Sequence, residues 1–283
     1  KVHDAFELLL KNLVILSSFI IVVVGSIDDA YDLGVIIRLV SQLIVSLIII
    51  GGGLQIVNIG IYDYFPFYSL GMFGTLLTVI CVLGLTNAVN FIDGIDGLSS
   101  GLVLIALISL YYFSLNDGGL FNENIILLFS ISVLIFFLIN NNFLLINKIF
   151  LGDSGSTMLG FILAWLLIYY SHPSIGSIHP ALTMWCVTVP VYDMFGVILR
   201  RILHKKNPFR PDRRHIHHIF VDRGFNSNFV LIIILIYAIL SNILGFTIYS
   251  LFGPDISLIF FIFWFLIYLI AIRIFLKNFK LKN

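Results

Sequence analysis

Long apolar runs rich in Leu, Ile, Val and Phe alternate along this chain with short polar stretches. Nine such runs are read, at residues 6–26, 35–54, 69–89, 99–115, 124–142, 155–172, 180–203, 228–250 and 256–276. A helix crosses the hydrocarbon core of a bilayer in about 20 residues, so the pattern predicts an all-α, polytopic membrane bundle of nine transmembrane helices. It forms a single domain over residues 1–283, with one long polar loop at 203–227. Composition agrees: 60% of residues are hydrophobic and 11% charged, and the mean hydropathy is +1.08. No cleavable signal peptide or soluble domain is read. Cys81 and Cys186 both fall inside runs and read as packing residues rather than a disulfide or metal pair. A formal net charge of +1 argues against a nucleic-acid partner. Because Lys1 is not a Met and lies close to the first run, a preceding N-terminal portion is expected.

Basic residues of short loops collect on the cytoplasmic side of a membrane. If the first run ends in the cytoplasm and the runs alternate, one face receives Arg38, Lys148, Arg200, Arg201, Lys205, Lys206, Arg210, Arg213, Arg214, Arg223, Arg273, Lys277, Lys280 and Lys282. Only Lys1 and Lys11 of the 16 basic residues fall outside that set. The expected topology has the N-terminus of this chain outside and the C-terminus in the cytoplasm. The acidic residues offer an independent check. Asp28, Asp29, Asp32, Asp93, Asp96, Asp153 and Asp193 come to the same face, as do His215, His217 and His218. Polar groups distant in sequence but convergent on one face are what a single cytoplasm-facing active site requires.

Each cluster has a plain reading beside a chemical one. Asp28 and Asp29 form a polar turn leaving the membrane, with Asp32 as an N-cap; as adjacent carboxylates they also gain from a shared hard cation such as Mg²⁺, which takes oxygen ligands and keeps waters and substrate phosphates. Asn87, Asn90, Asp93 and Asp96 recur at steps of three and are expected to share one helix face, where a lipid-facing polar stripe would be costly. Asp153 sits between glycines before run six: it or Ser154 caps that helix, or Asp153 holds a metal where phosphate is also favoured. Asp193 either snorkels, pairs with Arg200 or Arg201, or joins the site. His215, His217 and His218 lack an accompanying Cys, which argues against zinc. With Arg210, Arg213 and Arg214 they suit phosphate recognition.

The segments SIDDAYDLGVIIR (26–38), NAVNFIDGIDGLSSG (87–101), IFLGDSGSTMLGF (149–161), PVYDMFGVILRR (190–201) and NPFRPDRRHIHHIFVDRGF (207–225) occur together and in this order. In these the chain resembles the polyprenyl-phosphate N-acetylhexosamine-1-phosphate transferases, a family that includes the phospho-MurNAc-pentapeptide translocases. The HIHH loop is most similar to the undecaprenyl-phosphate GlcNAc-1-phosphate transferase branch. Relatives of that branch usually carry eleven spans, so the resemblance implies two further helices before this chain. The run Asn140-Asn141-Asn142-Phe143 is spaced irregularly against the family pattern.

The resemblance implies a bacterial cytoplasmic-membrane enzyme for cell-surface polysaccharide synthesis. It would take a UDP-N-acetylhexosamine from the cytoplasm and transfer the sugar-1-phosphate to undecaprenyl phosphate in the bilayer, releasing UMP. GlcNAc is the first expectation, with GalNAc, FucNAc and QuiNAc as alternatives. Mg²⁺ is expected as cofactor, with Mn²⁺ as the alternative, held by Asp153 with Asp28, Asp29 and Asp96. Asp28, Asp29, Asp153 and His217 are the expected catalytic residues. Asn87, Asn90, Asp93, Asp96, Arg213, His215, His218 and Asp193 are assigned to substrate. A homodimer is left open, as is a covalent aspartyl-phosphate route. The competing class is a cation- or proton-coupled transporter, which should place its charges at mid-bilayer and show an internal repeat.

Overall fold

The computed structural model describes residues 2–63, 69–116, 124–143, 147–176, 178–207 and 215–278. Among the described residues the secondary structure is helical, with no strand. The helices are α1 (Val2–Tyr31), α2 (Val35–Gly51), α3 (Met72–Ile92), α4 (Leu98–Asn116), α5 (Asn124–Asn140), α6 (Gly152–Ser171), α7 (Pro180–Cys186), α8 (Thr188–Leu203), α9 (Ile216–Val221) and α10 (Ser227–Asn278). By length and apolar composition five of these could cross a membrane, or six if α7 and α8 are one broken span, with α2 and α5 as shorter apolar helices. Large side chains such as Ile15, Phe19, Met72, Leu128 and Phe252 lie on the outside, as lipid-facing residues of an integral membrane protein must.

Apolar runs depart from straight helices at two places, each for a covalent reason. Run seven breaks into α7 and α8 at a bend of 79° around Val187. Pro190 has no N–H, and its ring would strike the carbonyl four residues back, at Cys186, if the helix ran through. Runs eight and nine join in α10, interrupted at Gly253 (φ 80°, ψ 179°) and followed by Pro254. That backbone conformation is one only glycine adopts without strain. Just beyond the break, buried Asp255 accepts a hydrogen bond from Asp63 N at 3.1 Å, tying α10 to the segment between α2 and α3.

Helix α6 lies at the centre, packed against α1, α3 and α4. Its Phe161 and Trp165 are fully buried in the larger apolar core, with Val82, Val89, Val103 and Leu107. A second core joins α7, α8 and α10 through Trp185, Tyr192, Phe261 and Tyr268, with Ile216 and Ile219 of α9. There Trp185 Nε1 donates to Ser257 Oγ at 3.0 Å, and Tyr192 Oη donates to the carbonyl of Phe261. In lipid such groups need protein partners, because no water competes for them.

Gly245 of α10 lets the Trp185 ring approach the backbone so closely that an added Cβ would run into it. Overpacking a filled core costs about 1–3 kcal/mol. Gly245→Val is therefore expected to lower the melting temperature of the detergent-solubilised protein, whereas Gly51→Ala, with nothing within 4 Å of its added Cβ, should leave it unchanged. Equal melting curves for the two variants would contradict this packing.

Candidate active site

The polar clusters meet at one end of the bundle, where α1 and α3 finish and α2 and α6 begin. Asp28 and Asp29 lie within the last turn of α1, not in a turn beyond it. Asp32 does not cap α2: it has φ 51°, and Gly34 occupies the N-cap position without a side-chain bond. A helix start leaves its first N–H groups without internal partners. At α6 the N-cap residue is Leu151, which can offer them nothing. The acceptor comes from another helix, since Asp29 Oδ1 takes Asp153 N at 2.9 Å and Asp29 Oδ2 takes Ser154 N at 3.2 Å. Neither Asp153 nor Ser154 is the cap.

Asp29 thereby turns Asp153 toward α2 and α3. Arg38 Nη1 donates to Asp28 Oδ2 at 2.9 Å and to Asp153 Oδ2 at 3.1 Å. Asn90 Nδ2 donates to Asp153 Oδ1 at 3.2 Å and to Ser156 Oγ at 2.9 Å. Asn87, one turn deeper, donates to Gln42 Oε1 at 2.7 Å and to the carbonyl of Leu83. Asp28 Oδ1 is buried without a hydrogen-bond partner, in a narrow cleft lined by Arg38, Gln42, Asp153 and Thr157.

Asp93 and Asp96 do not continue the α3 face. The helix ends at Ile92, Asp93 is its C-cap, and residues 93–97 turn back toward α4. The glycines that make this turn outweigh the three-residue period, which holds for Asn87 and Asn90 alone. Asp96 pairs with Lys148, and Lys148 Nζ lies 4.8 Å over the Phe150 ring. That ring is 72% exposed beside the turn. Burial pushes the Asp93 carboxyl up to about 7, with the charges of Asp153 and Asp96 acting in the same direction.

The HIHH segment docks on this turn. His215 is the N-cap of α9. Asp193 pairs with neither Arg200 nor Arg201 in an ion pair among the described residues and does not snorkel: it is 1% exposed. Its Oδ2 meets His215 Nδ1 at 2.7 Å, while Oδ1 accepts from Ile216 N at 2.8 Å and from Tyr268 Oη at 3.2 Å. Asp193 therefore anchors the segment from within the bundle. His217 is fully buried, neither ring nitrogen has a partner, and a Cβ on Gly94 would run into its Nε2. Burial drives this imidazole down to about 3, His218 and His215 adding to the effect and Asp193 opposing it. The His218 ring lies 4.1 Å from that of His217. Arg210, Arg213 and Arg214 lie outside the described residues.

Of the four carboxylates expected around magnesium, Asp28 and Asp153 share Arg38, Asp29 is turned onto backbone amides, and Asp96 stands apart with Lys148. Among the described residues no three His, Cys, Asp or Glu side chains form a ready-made metal cage. The donors that remain, one orphaned buried oxygen on Asp28 and the half-exposed carboxylate of Asp153, suit a hard cation that keeps most of its shell as water and phosphate. Arg38 and Lys148 read from sequence only as orientation markers, and Phe150, Gln42 and Tyr268 have no assigned role there. Arg38 alone had a usable signal, as the single basic residue between Lys11 and Lys148.

The shift on Asp93 carries a stability consequence. Between the ordinary 3.8 and about 7 the folded protein keeps a proton that the unfolded chain has lost, so this group's contribution falls as pH rises through that window. His217 acts oppositely, its contribution falling as pH drops from 6.5 toward 3. In melts without divalent cations, Asp93→Asn should match the wild type near pH 4 and melt higher at pH 8. A difference that stays flat between these values would refute the raised carboxyl.

The chain matches the family model described as Glycosyl transferase family 4 over residues 12–171. It is 32% identical over 276 residues to an undecaprenyl-phosphate alpha-N-acetylglucosaminyl 1-phosphate transferase of Salmonella typhi, covering 96% of this chain and 73% of that protein. A protein of the same name from Pasteurella multocida (strain Pm70) is 35% identical over 243 residues, covering 84% and 68%. Another, from Escherichia coli (strain K12), is 31% identical over 267 residues, covering 93% and 71%. Asp28, Asp29, Asn90 and Asp153, which the fold draws to one point, all fall within the matched segment, and the chain belongs to glycosyl transferase family 4.

Proposed function

We propose that this protein transfers an N-acetylhexosamine-1-phosphate, GlcNAc-1-phosphate first, from a UDP-sugar to undecaprenyl phosphate, yielding undecaprenyl-diphosphate-sugar and UMP. The observation that carries the reading is the junction of Asp153 with Asp28, Asn90 and Arg38, set beside the Asp93–Gly97 turn and the HIHH segment. Relatives named as transferases for this lipid and this sugar add to it. The site faces the cytoplasm of a bacterial inner membrane, following the one-sided distribution of Lys and Arg. FucNAc, QuiNAc and GalNAc remain alternatives to GlcNAc, since one hydroxyl is set by contacts of the sugar itself. The transporter reading is not favoured, because the relatives are named for transfer chemistry.

In this reaction an oxygen of the lipid phosphate attacks the sugar-linked phosphorus. The new P–O bond forms as the bond to the bridging oxygen breaks, and that oxygen leaves with UMP. Phosphoryl transfer depends on alignment and on neutralising the phosphate oxygens. Arg38, which lines the cleft, presents a permanent cation to the attacking phosphate. A lipid phosphate with a second ionisation near pH 6 is already a competent nucleophile at neutral pH, so Asp28 need only orient it. Asp29 acts through α6, holding Asp153 in place. The exposed Phe150 ring beside Asp96 and Lys148 offers a flat face and polar edge for the uracil base. Asp153 and Asp28 would hold Mg²⁺, which when bound supplies charge neutralisation at the diphosphate.

Purified protein should convert radiolabelled UDP-GlcNAc and undecaprenyl phosphate into a lipid-extractable product, with Mg²⁺ required. Asp153→Asn should cut kcat by on the order of 10²-fold or more, the usual loss when a preorganised electrostatic group is removed. Full turnover by Asp153→Asn, or the absence of a lipid product from the wild type, would overturn the reading.

A further inference from the structure

We infer that Asn140 is a positioning residue for the nucleotide side of the site, an inference that rests on the transfer reading above. Asn140 closes α5 and is 5% exposed. Both ends of its amide are spent on backbone: Oδ1 accepts from Gly97 N at 2.6 Å, and Nδ2 donates to Ile149 O at 2.8 Å. These partners belong to two different loops. One is the Asp93–Gly97 turn; the other is the segment leading from residue 147 into α6.

Each loop carries half of one feature. Asp96 lies on the first, while Lys148 and Phe150 lie on the second. The only other described link between them at this point is the Lys148–Asp96 pair, whose side chains are 27% and 50% exposed. Ion pairs that open to solvent hold weakly. The register of acid, ammonium and aromatic face therefore depends on the buried amide. Gly97 completes the fit: it has φ 76°, and the Asn141 side chain fills the place where a Cβ would stand. Asn141 is itself held by a bond from Nδ2 to Phe137 O at 2.9 Å.

Only one short side chain combines an acceptor for Gly97 N with a donor for Ile149 O. Aspartate keeps the first bond and loses the second; leucine fills the volume and loses both. The irregularly spaced Asn140–Phe143 run thus has a physical purpose, ending α5 with its first member wedged between two loops. The lipid-phosphate side is held by separate contacts, Asp29 on the α6 amides and Arg38 on two carboxylates. Loss of Asn140 should consequently discriminate between the two substrates.

The test uses the full chain in detergent, with Asn140→Leu and the milder Asn140→Asp. It measures equilibrium binding of radiolabelled UDP-GlcNAc and steady-state KM for UDP-GlcNAc and undecaprenyl phosphate. Both variants should raise Kd and KM for UDP-GlcNAc at least tenfold, with KM for undecaprenyl phosphate within twofold of wild type. A purely structural asparagine would reduce the active fraction and leave both KM values alone, and that result, or a parallel rise for both substrates, overturns the inference. If Asn140→Leu does not fold, Asn140→Asp decides by the same criteria. Wild-type protein that fails to bind UDP-GlcNAc would sink the transfer reading itself, whereas binding unchanged in the variants sinks this inference alone.

Discussion

The site hangs on a carboxylate from one helix capping the start of another. Asp29 of α1 accepts from two backbone amides of α6, which the local sequence of α6 leaves without an acceptor. An N-cap of this kind is worth about 1 kcal/mol in water-exposed helices, and its geometric effect is larger than that figure suggests. It fixes where α6 begins, and so where Asp153 points. Because α6 is also the central helix of the larger core, the position of Asp153 is set jointly by packing along the helix and by one charge–dipole contact at its end.

That contact creates an electrostatic imbalance. Three carboxylates, Asp28, Asp29 and Asp153, gather about a single described guanidinium, Arg38, which bonds two of them. Asp29 is offset by α6 amides, while Asp28 keeps a buried oxygen with no partner. A buried acceptor left without a hydrogen bond costs about 1–3 kcal/mol even when its carboxylate is paired, and a fold bears such a cost mainly where a ligand relieves it. A hard cation, were one held by Asp28 and Asp153, would relieve the carboxylates and leave Arg38 available to an anion. The pairing of Arg38 with both acids is thus compatible with the proposed chemistry: it holds the cleft together in the absence of substrate, using a group that can exchange carboxylate for phosphate.

Much of this was legible from the chain. Apolar run length marks the helices, and simple alternation of spans brings Asp28, Asp29 and Asp153 to one end, while Asn90 follows from its three-residue spacing with Asn87. What could not be read was decided by contacts between distant residues. Asn87 and Asn90 obey the three-residue period, but Gly94 and Gly97 end it before Asp93 and Asp96, because backbone freedom there outweighs periodicity. Pro190 lies in an apolar run and breaks it, a covalent effect that hydropathy does not register. Asp193 reads three ways from sequence, and only the tertiary packing of His215 and Tyr268 onto it shows that it stays inside the bundle as an anchor. Asn140 looked like an irregularity, since its two partners come from loops that no local pattern joins.

The histidines divide unequally once burial is considered. His217 is neutral at any physiological pH, pressed against the Gly94 backbone with both nitrogens unsatisfied. It therefore contributes shape to the interface between α9 and the Asp93–Gly97 turn and no positive charge. His215 is oriented by Asp193, whose second oxygen also caps the start of α9. A doubly charged diphosphate nevertheless demands cations, and a neutral imidazole cannot supply them. Under the proposed transfer, Arg38, charged at all relevant pH values and set between Asp28 and Asp153, would supply one such charge alongside Mg²⁺. The described part of the HIHH segment, anchored through Asp193 and seated through His217, walls one side of the site.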